Sequence, residues 1–222
     1  MTAFPPIAFS ARPDLRLWLA ALIERGGAVF EMTANSTSES VIAHESTSDL
    51  DAEDVLQARG GDEQAFERIV RRYQHEISRR LQRFSRNTLV HEELIQETFV
   101  QAFLGLRTYR ADGPLIHWLH RIAVRVGYRY WRVQRSRPPH ITLDAQALPA
   151  PIAREPVELY HVLERLSARD RLVLTLVYLE ERSVEETAAL TGWSRTMVKV
   201  QSHRARCRLR KLMEALSPGE HP

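Results

Sequence analysis

The sequence has almost no cysteine and no long apolar run. Cys207 is the only cysteine among 222 residues, which excludes an intramolecular disulfide and a cysteine-based zinc site. No stretch approaches the roughly 20 apolar residues that a transmembrane helix needs, and the first residues lack the basic start of a signal peptide. We therefore expect a protein that acts in the cytoplasm and is not inserted in a membrane.

Acidic residues are absent from two stretches, 113–143 and 194–212. The formal net charge of the whole chain is only +3, so the distribution of charge is more informative than its sum. Both stretches are rich in arginine, whereas acidic residues cluster elsewhere in the chain. Such local asymmetry indicates two separate surfaces that attract a polyanion such as nucleic acid.

Apolar residues recur at helical spacing over most of the chain, and no convincing strand alternation is present. The sequence therefore predicts an all-α fold with two small helical domains, at residues 51–137 and 157–216. Residues 138–156 contain five prolines and no periodicity, which is typical of a flexible linker. We expect a poorly structured extension at 1–50 and a short tail at 217–222. The predicted helices cover residues 51–59, 63–84, 92–106, 115–135, 157–166, 167–179, 183–191 and 194–212.

The segment 183–212 has the pattern of a helix-turn-helix. Ser183 and Glu186 have the spacing of a capping box, which predicts that a helix begins there. Gly192 suits the left-handed position after a helix, and Ser194 can cap the next one. A basic helix in this setting can enter the major groove of DNA. The alternative is a helical hairpin whose basic face is simply solvated.

The predicted helix 115–135 combines arginine with aromatic residues. Basic side chains attract phosphate, and aromatic rings can stack on unpaired bases. The mixture favours single-stranded or partly melted nucleic acid over plain duplex. The alternative is that Trp118 and Tyr130 belong to the core and that the arginines are solvated.

Glu93, Gln96 and Glu97 share one face of the predicted helix 92–106. A solvated helix face is one interpretation, and a docking surface for a basic protein partner is the other. Clustered carboxylates could also serve a metal-dependent enzyme, but no matching nucleophile accompanies them. His117 and His120 lie three residues apart without a nearby third ligand. We therefore predict no metal, no cofactor and no catalytic activity.

Taken in order, these segments resemble the extracytoplasmic-function subgroup of bacterial RNA polymerase sigma factors of the sigma-70 family. The resemblance covers about residues 54–212. The stretches GDEQAFERIVRRYQHEISRRL, EELIQETFVQAF and YRADGPLIHWLHRIAVRVGYRYW are similar to region 2 of the family, and the stretch LSARDRLVLTLVYLEERSVEETAALTGWSRTMVKVQSHRARCRL is similar to region 4. Membership implies binding to core RNA polymerase, recognition and melting of promoter DNA, and inhibition by an anti-sigma factor.

The resemblance also implies roles for individual residues. The polymerase-binding residues would be Glu93, Gln96 and Glu97. The minus-ten element would be bound by Tyr109, Arg110, Asp112, Arg121, Arg125, Arg129 and Arg132, with the first three in a loop that captures a flipped base. The minus-35 duplex would be bound by Arg195, Thr196, Lys199, Gln201, His203 and Arg204.

The chain departs from the family at several of these positions. Arg125 stands where many members have Asn, and Val200-Gln201-Ser202 stands where Ser-Arg-Leu is common. The promoter sequence therefore cannot be transferred from the family. A stand-alone helix-turn-helix regulator is the alternative function; it would bind duplex DNA without polymerase.

Overall fold

The computed structural model describes residues 42–136 and 162–216, and both parts are helical, as predicted. The first part contains α1 (Ile42–Arg59), α2 (Glu63–Leu81), α3 (Thr88–Gly105), a 3-10 turn at Leu106–Thr108, and α4 (Leu115–Ser136). The second part contains α5 (Ala168–Leu174), a π turn at Thr175–Leu179, α6 (Val184–Thr191) and α7 (Arg195–Leu216). None of the helices in these two ranges is both long and apolar enough to cross a membrane.

The core of the first part is built from the residues whose spacing predicted the helices. Phe66, Ile69 and Ile77 of α2 are fully buried, and they belong to the same apolar cluster as Phe99 of α3 and Leu119 of α4. Burial of each large apolar side chain contributes about 1.5–3 kcal/mol. This packing holds α3 and α4 side by side, so that their outer faces form one continuous surface.

Helix α1 begins at Ile42 and not at residue 51, where the sequence predicted it. No proline or glycine lies between residues 42 and 59, so no helix-breaking residue prevents the helix from starting before residue 51. The later turns are fixed by charge, because Arg72 donates to Asp51 at 2.5 Å and to Asp54 at 2.7 Å. Residues 42–50 therefore do not belong to a poorly structured extension.

The two described parts pack against each other. Leu172 and Leu176 of the second part are almost completely buried in the apolar cluster of the first part. A second, smaller cluster includes Leu163, Val173 and Val198 and lies within the second part. The predicted linker 138–156, residues 1–41 of the predicted extension and the predicted tail 217–222 lie outside the described residues.

Candidate nucleic-acid and partner interfaces

Helix α4 carries the arginines that were predicted to bind melted DNA. Arg125 and Arg132 are exposed, and Arg121 is half-buried. The guanidinium of Arg132 lies 6.0 Å from the centre of the Tyr128 ring, a distance that permits a cation–π contact. These three arginines repeat at four and seven residues and so follow one side of the helix. The structure therefore presents a basic stripe on α4, with an aromatic ring at its edge.

Arg129 lies in a different environment from the other arginines of α4. Its Nη2 donates to Oε1 of Glu97 on α3 at 2.5 Å, and the Glu97 side chain is largely buried. Gln101 donates to the same carboxylate oxygen at 3.0 Å. The predicted minus-ten residue Arg129 and the predicted polymerase-binding residue Glu97 therefore form an ion pair between two helices. This arrangement places Arg129 with the acidic face and not with the basic stripe.

A groove of about 560 Å³ runs between α3 and α4. All three predicted polymerase-binding residues line it: Glu93 is exposed, and Gln96 and Glu97 are half-buried. Its apolar lining includes Val126 and Val133. Val133 is 47% exposed. The groove thus combines an acidic edge with an apolar floor, which suits a partner helix that carries both basic and apolar residues.

The loop between the 3-10 turn and α4 is held by Tyr109. The Tyr109 ring is buried 4.9 Å from the Trp118 ring, and its hydroxyl donates to the carbonyl of Gly113 at 2.8 Å. Burial also raises the pKa of the phenol. Arg59 donates to the Tyr109 carbonyl oxygen from below. The Tyr109 ring therefore packs inward and supports the loop in which the family resemblance had placed it.

The exposed part of this loop consists of Arg110, Ala111 and Asp112. Ala111 has a φ of 55°, in the left-handed region that only a minority of non-glycine residues adopt. Such strain is retained where the surrounding structure fixes the backbone. Arg110 and Asp112 are thus presented to solvent by a fixed loop next to the basic stripe.

The helix-turn-helix has the local chemistry that the sequence predicted. The Ser183 side chain accepts from the backbone of Glu186 at 3.1 Å, and the Glu186 carboxylate accepts from the backbone of Ser183 at 2.8 Å. These bonds lower the pKa of Glu186. Gly192 has a φ of 74° in the turn. Ser194 then caps α7 by accepting from the backbone of Met197 at 3.1 Å.

One side of α7 is exposed and basic. Five of the six predicted minus-35 residues are exposed on it: Arg195, Thr196, Lys199, His203 and Arg204. Val200 lies among them and is 43% exposed. Val200 had no predicted role, although its position four residues after Thr196 and three before His203 indicates this face. An apolar side chain on a helix that faces DNA can contact a thymine methyl group.

Gln201, the sixth predicted minus-35 residue, lies on the opposite side of α7. It is buried, and its side-chain amide donates to Asp170 of α5 at 2.5 Å. Ser167 and Arg208 also donate to this carboxylate, at 2.6 Å and 2.8 Å. This position contradicts the prediction that Gln201 binds the minus-35 duplex, because the buried side chain ties the recognition helix to the rest of its own domain.

The two histidines of α4 do not form a metal site with their surroundings. Nowhere in residues 42–136 and 162–216 do three or more His, Cys, Asp or Glu side chains come together as metal ligands. His117 is exposed, whereas His120 is buried with its Nε2 3.1 Å from Glu76. Burial, followed by the nearby charges of Arg80 and Arg182, lowers the pKa of His120 to about 3. His120 is therefore neutral in the folded protein.

Two family profiles match the chain, one over each of the two helical parts. Residues 69–137 match the profile described as sigma-70 region 2, and residues 157–209 match the profile described as sigma-70, region 4. Together they cover more than half of the chain. The first match contains the groove and the basic stripe, and the second contains the helix-turn-helix.

Curated relatives carry names from the same family. The chain is 26% identical over 187 residues to the RNA polymerase sigma-H factor of Pseudomonas aeruginosa, a match that covers 77% of this chain and 97% of the relative. It is 29% identical over 169 residues to the ECF RNA polymerase sigma-E factor of Escherichia coli, covering 68% and 88%. A solved structure of sigma factor RpoE with anti-sigma factor NepR from Bartonella quintana is similar with a TM-score of 0.49, 21% identity and coverage of 67% and 96%.

Proposed function

The chain belongs to the sigma-70 family of RNA polymerase sigma factors, in the extracytoplasmic-function subgroup, and we propose which of its surfaces carries out each step of initiation. A sigma factor performs no chemistry. It binds core RNA polymerase, directs it to promoter DNA and promotes strand opening. Since core polymerase and the bacterial chromosome share one compartment, we infer that this chain acts in the cytoplasm.

The groove between α3 and α4 is the proposed binding site for core polymerase. Its exposed carboxylate, Glu93, stands at the edge, and Val126 and Val133 provide apolar area. We assign Arg129 to this site, because it already pairs with Glu97 there. A basic helix of polymerase could replace Arg129 as the partner of Glu97. The favourable binding free energy would come from apolar burial, while the charges select the partner and its orientation.

The basic stripe on α4 and the neighbouring loop are the proposed minus-ten site. Arg121, Arg125 and Arg132 would hold the phosphate backbone, and Arg110 and Asp112 would approach a base that has left the stack. Tyr109 stays beneath the loop as its support. Removing a base from the stack costs a few kcal/mol, so a loop that is already fixed avoids an additional ordering cost.

The exposed side of α7 is the proposed minus-35 site. Lys199 and Arg204 supply charge, and a bidentate arginine contact with guanine contributes about 1–3 kcal/mol of base discrimination. Val200 adds an apolar contact at the centre of this side. Asp170, by holding Gln201, keeps the helix in place for these contacts.

The observation that supports this proposal most is the presence of two exposed basic surfaces on two helical parts of one chain. Each surface alone would bind DNA weakly. Once one is bound, the other acts at a high effective concentration if the chain can span the two elements. A stand-alone regulator would need neither the α4 stripe nor the acidic groove, and its profile match would not include region 2.

An anti-sigma factor is the inhibitory partner we propose, as expected for this subgroup. Such a protein would compete for the same groove if it offered an amphipathic helix. The Glu93 variant described next would then lose affinity for both partners.

A titration of core polymerase into labelled protein tests the docking site. Glu93→Lys reverses charge at the groove edge, and we expect an affinity loss of at least tenfold. Glu92→Lys makes the same change at an exposed neighbour that does not line the groove, and it should bind almost normally. Equal affinities for the parent and both variants would remove the groove from the proposal. Equal losses in both variants would indicate a general charge effect instead.

A further inference from the structure

Arg59, the last residue of α1, binds a backbone segment far along the chain. Its Nε donates to the carbonyl oxygen of Leu106 at 2.9 Å, and its Nη2 donates to the carbonyl oxygen of Tyr109. The backbone N–H of Tyr109 donates to the same Leu106 carbonyl at 3.2 Å. The 3-10 turn at Leu106–Thr108 lies between the two carbonyls and leads into residues 109–114, which we call the minus-ten loop. One guanidinium therefore holds the start of this loop.

Arginine suits this arrangement better than any other side chain. Its guanidinium is planar and presents several N–H donors in a fixed fork, so it can bind two carbonyl oxygens at once. Lysine would donate from a single point. The Leu106 carbonyl also lies at the C-terminal end of α3, where carbonyl groups lack partners within the helix and carry partial negative charge. A cation is the favoured partner at this position.

Arg59 can support the loop because the end of α1 is itself fixed. Val55 and Ala58 lie in the last turns of α1 and are buried in the apolar cluster of the first part. Arg68 of α2 donates to Asp54 of α1 at 2.7 Å, which ties the two helices together by charge. The Arg59 guanidinium therefore extends from a helix that is anchored to the core.

The far end of the minus-ten loop is held by a different contact. The Tyr109 hydroxyl donates to the Gly113 carbonyl at 2.8 Å. The exposed Arg110 and Asp112 lie between this bond and the carbonyl that Arg59 holds. That carbonyl belongs to the peptide group between Tyr109 and Arg110. The direction in which Arg110 leaves the backbone therefore depends on Arg59.

The sequence context of Arg59 gives no sign of this contact. The residue is exposed, and a basic residue in the last turn of a helix is common because it complements the helix dipole. The region 2 profile begins at residue 69, so α1 lies outside the matched segment. Its partners follow it by 47 and 50 residues, and only the packing of the helices brings them together.

We propose that Arg59 is a positioning residue of the minus-ten site: it sets the base preference of the minus-ten loop through the backbone and makes no contact with DNA. The inference rests on the proposed function, since it requires that this loop receive a base. Phosphate binding by the basic stripe on α4 does not depend on Arg59. Loss of the guanidinium should therefore reduce discrimination among bases while general affinity for DNA is retained.

A promoter library tests this role. Variants of the DNA upstream of this protein's own gene carry each base at each minus-ten position, and a barcode in the transcript identifies each variant. Transcripts are counted for holoenzyme with the parent chain and with Arg59→Gln. Glutamine retains a good helix propensity but lacks the charge and the fork of donors. We expect the base preference at one position to fall about fivefold, as for the loss of one or two ordinary hydrogen bonds, and the other positions to keep theirs.

Two further variants serve as controls. Arg71→Gln makes the same change at an exposed arginine of α2 that pairs with Glu67, and it should keep every preference. Arg59→Lys keeps the charge and one donor group, and it should restore part of the lost preference. An unchanged preference in Arg59→Gln, or the same loss in Arg71→Gln, would overturn the proposal. A uniform loss at all positions would also overturn it, because that result indicates general destabilisation.

Hydrogen exchange in the free full-length protein separates this inference from the proposed function. We expect the amides of residues 109–113 to exchange about fivefold faster in Arg59→Gln than in the parent and in Arg71→Gln. The amides in the middle of α4 should exchange equally in all three. Equal exchange in the loop would overturn the positioning role. Faster exchange in the loop, with no transcript from the parent holoenzyme, would contradict the proposed function and with it the base preference, while the support of the loop by Arg59 would stand.

Discussion

Nε2 of Gln201 in α7 lies 2.5 Å from Oδ1 of Asp170 in α5, whose carboxylate is 1% exposed. Removal of this carboxylate should leave the Gln201 amide and the Ser167 hydroxyl without their acceptor. We expect Asp170→Ala to lower the free energy of unfolding by about 2–4 kcal/mol. Arg208→Ala removes only one donor, which is 56% exposed, and should cost less than about 1 kcal/mol. Urea denaturation compares the two, and similar losses would contradict a central role for Asp170.

Gly127 in α4 is required by the close approach of Phe84. A Cβ atom at this position would lie 2.3 Å from two ring atoms of Phe84. That ring cannot move easily, because it packs on Trp131 at 4.5 Å between ring centres. Gly127→Ala should therefore destabilise the protein by about 1–3 kcal/mol, despite the better helix propensity of alanine. At Gly113 a Cβ atom would meet nothing within 4 Å, so the stability of Gly113→Ala should stay within about 0.5 kcal/mol of the parent. Thermal melts of both variants measure the difference.

His120 should make stability depend on pH. Its pKa is about 3 in the folded protein, against about 6.5 when it is exposed. The unfolded chain thus binds the proton more readily, and the stabilisation that is present above pH 6.5 is lost as the pH falls towards 3. The slope approaches about 1.4 kcal/mol per pH unit in this range. The charged and titratable groups near His120 are Glu76, Arg79, Arg80, His117 and Arg182.

Denaturant titrations between pH 7 and pH 4 measure this effect. His120→Gln should flatten part of the pH dependence, while the exposed His203→Gln should leave the slope unchanged. The pKa of His91 is also lowered by burial, so a residual slope of the same sign is expected in both variants. Identical profiles for the parent and His120→Gln would show that His120 does not carry the effect.

Substitution of Arg204 shows whether this side chain reads a base or binds phosphate. If it makes a bidentate base contact, Arg204→Ala should weaken promoter binding by about 1–3 kcal/mol and relax the preference for one base pair. If it contacts phosphate, the loss should be smaller and equal for promoter and scrambled DNA. Fluorescence anisotropy with polymerase holoenzyme at fixed salt distinguishes the two, because salt strongly changes such affinities. An unchanged affinity for both DNAs would remove Arg204 from the interface.

We expect the Val200 side chain to contact a thymine methyl group in the minus-35 element. Replacing each thymine of the minus-35 element in turn by uracil removes a single methyl group and nothing else. At one position we expect the parent to lose about 0.8 kcal/mol, the value of one buried methylene, whereas Val200→Ala should lose nothing further. If no uracil substitution affects the parent, Val200 does not contact a thymine methyl.

Local features of the fold were well predicted from the sequence, because caps, turns and apolar periodicity depend on neighbours along the chain. The Ser183–Glu186 capping box, the left-handed Gly192 and the cap at Ser194 all form as expected. One error was avoidable. Gln201 comes three residues after the buried Val198 and four before the buried Ala205, so its spacing already placed it on the inner side of α7.

Contacts between distant residues could not be predicted in this way. Arg80 and Glu180 are 100 residues apart, and each reads as an ordinary charged residue on a helix surface. The same limit applies to Arg129, whose partner Glu97 lies on another helix. The choice of partner depends on how the helices pack, and helical periodicity contains no information about that choice.

Run-off transcription with purified bacterial core polymerase is the most direct test of the central claim. The template is the DNA upstream of this protein's own gene, and the reaction is run with the parent chain, with Glu93→Lys and without either. The account predicts a discrete transcript that requires the parent chain and is strongly reduced with Glu93→Lys. A chain that fails to bind core polymerase, gives no transcript, and yet binds promoter DNA specifically by itself would contradict it.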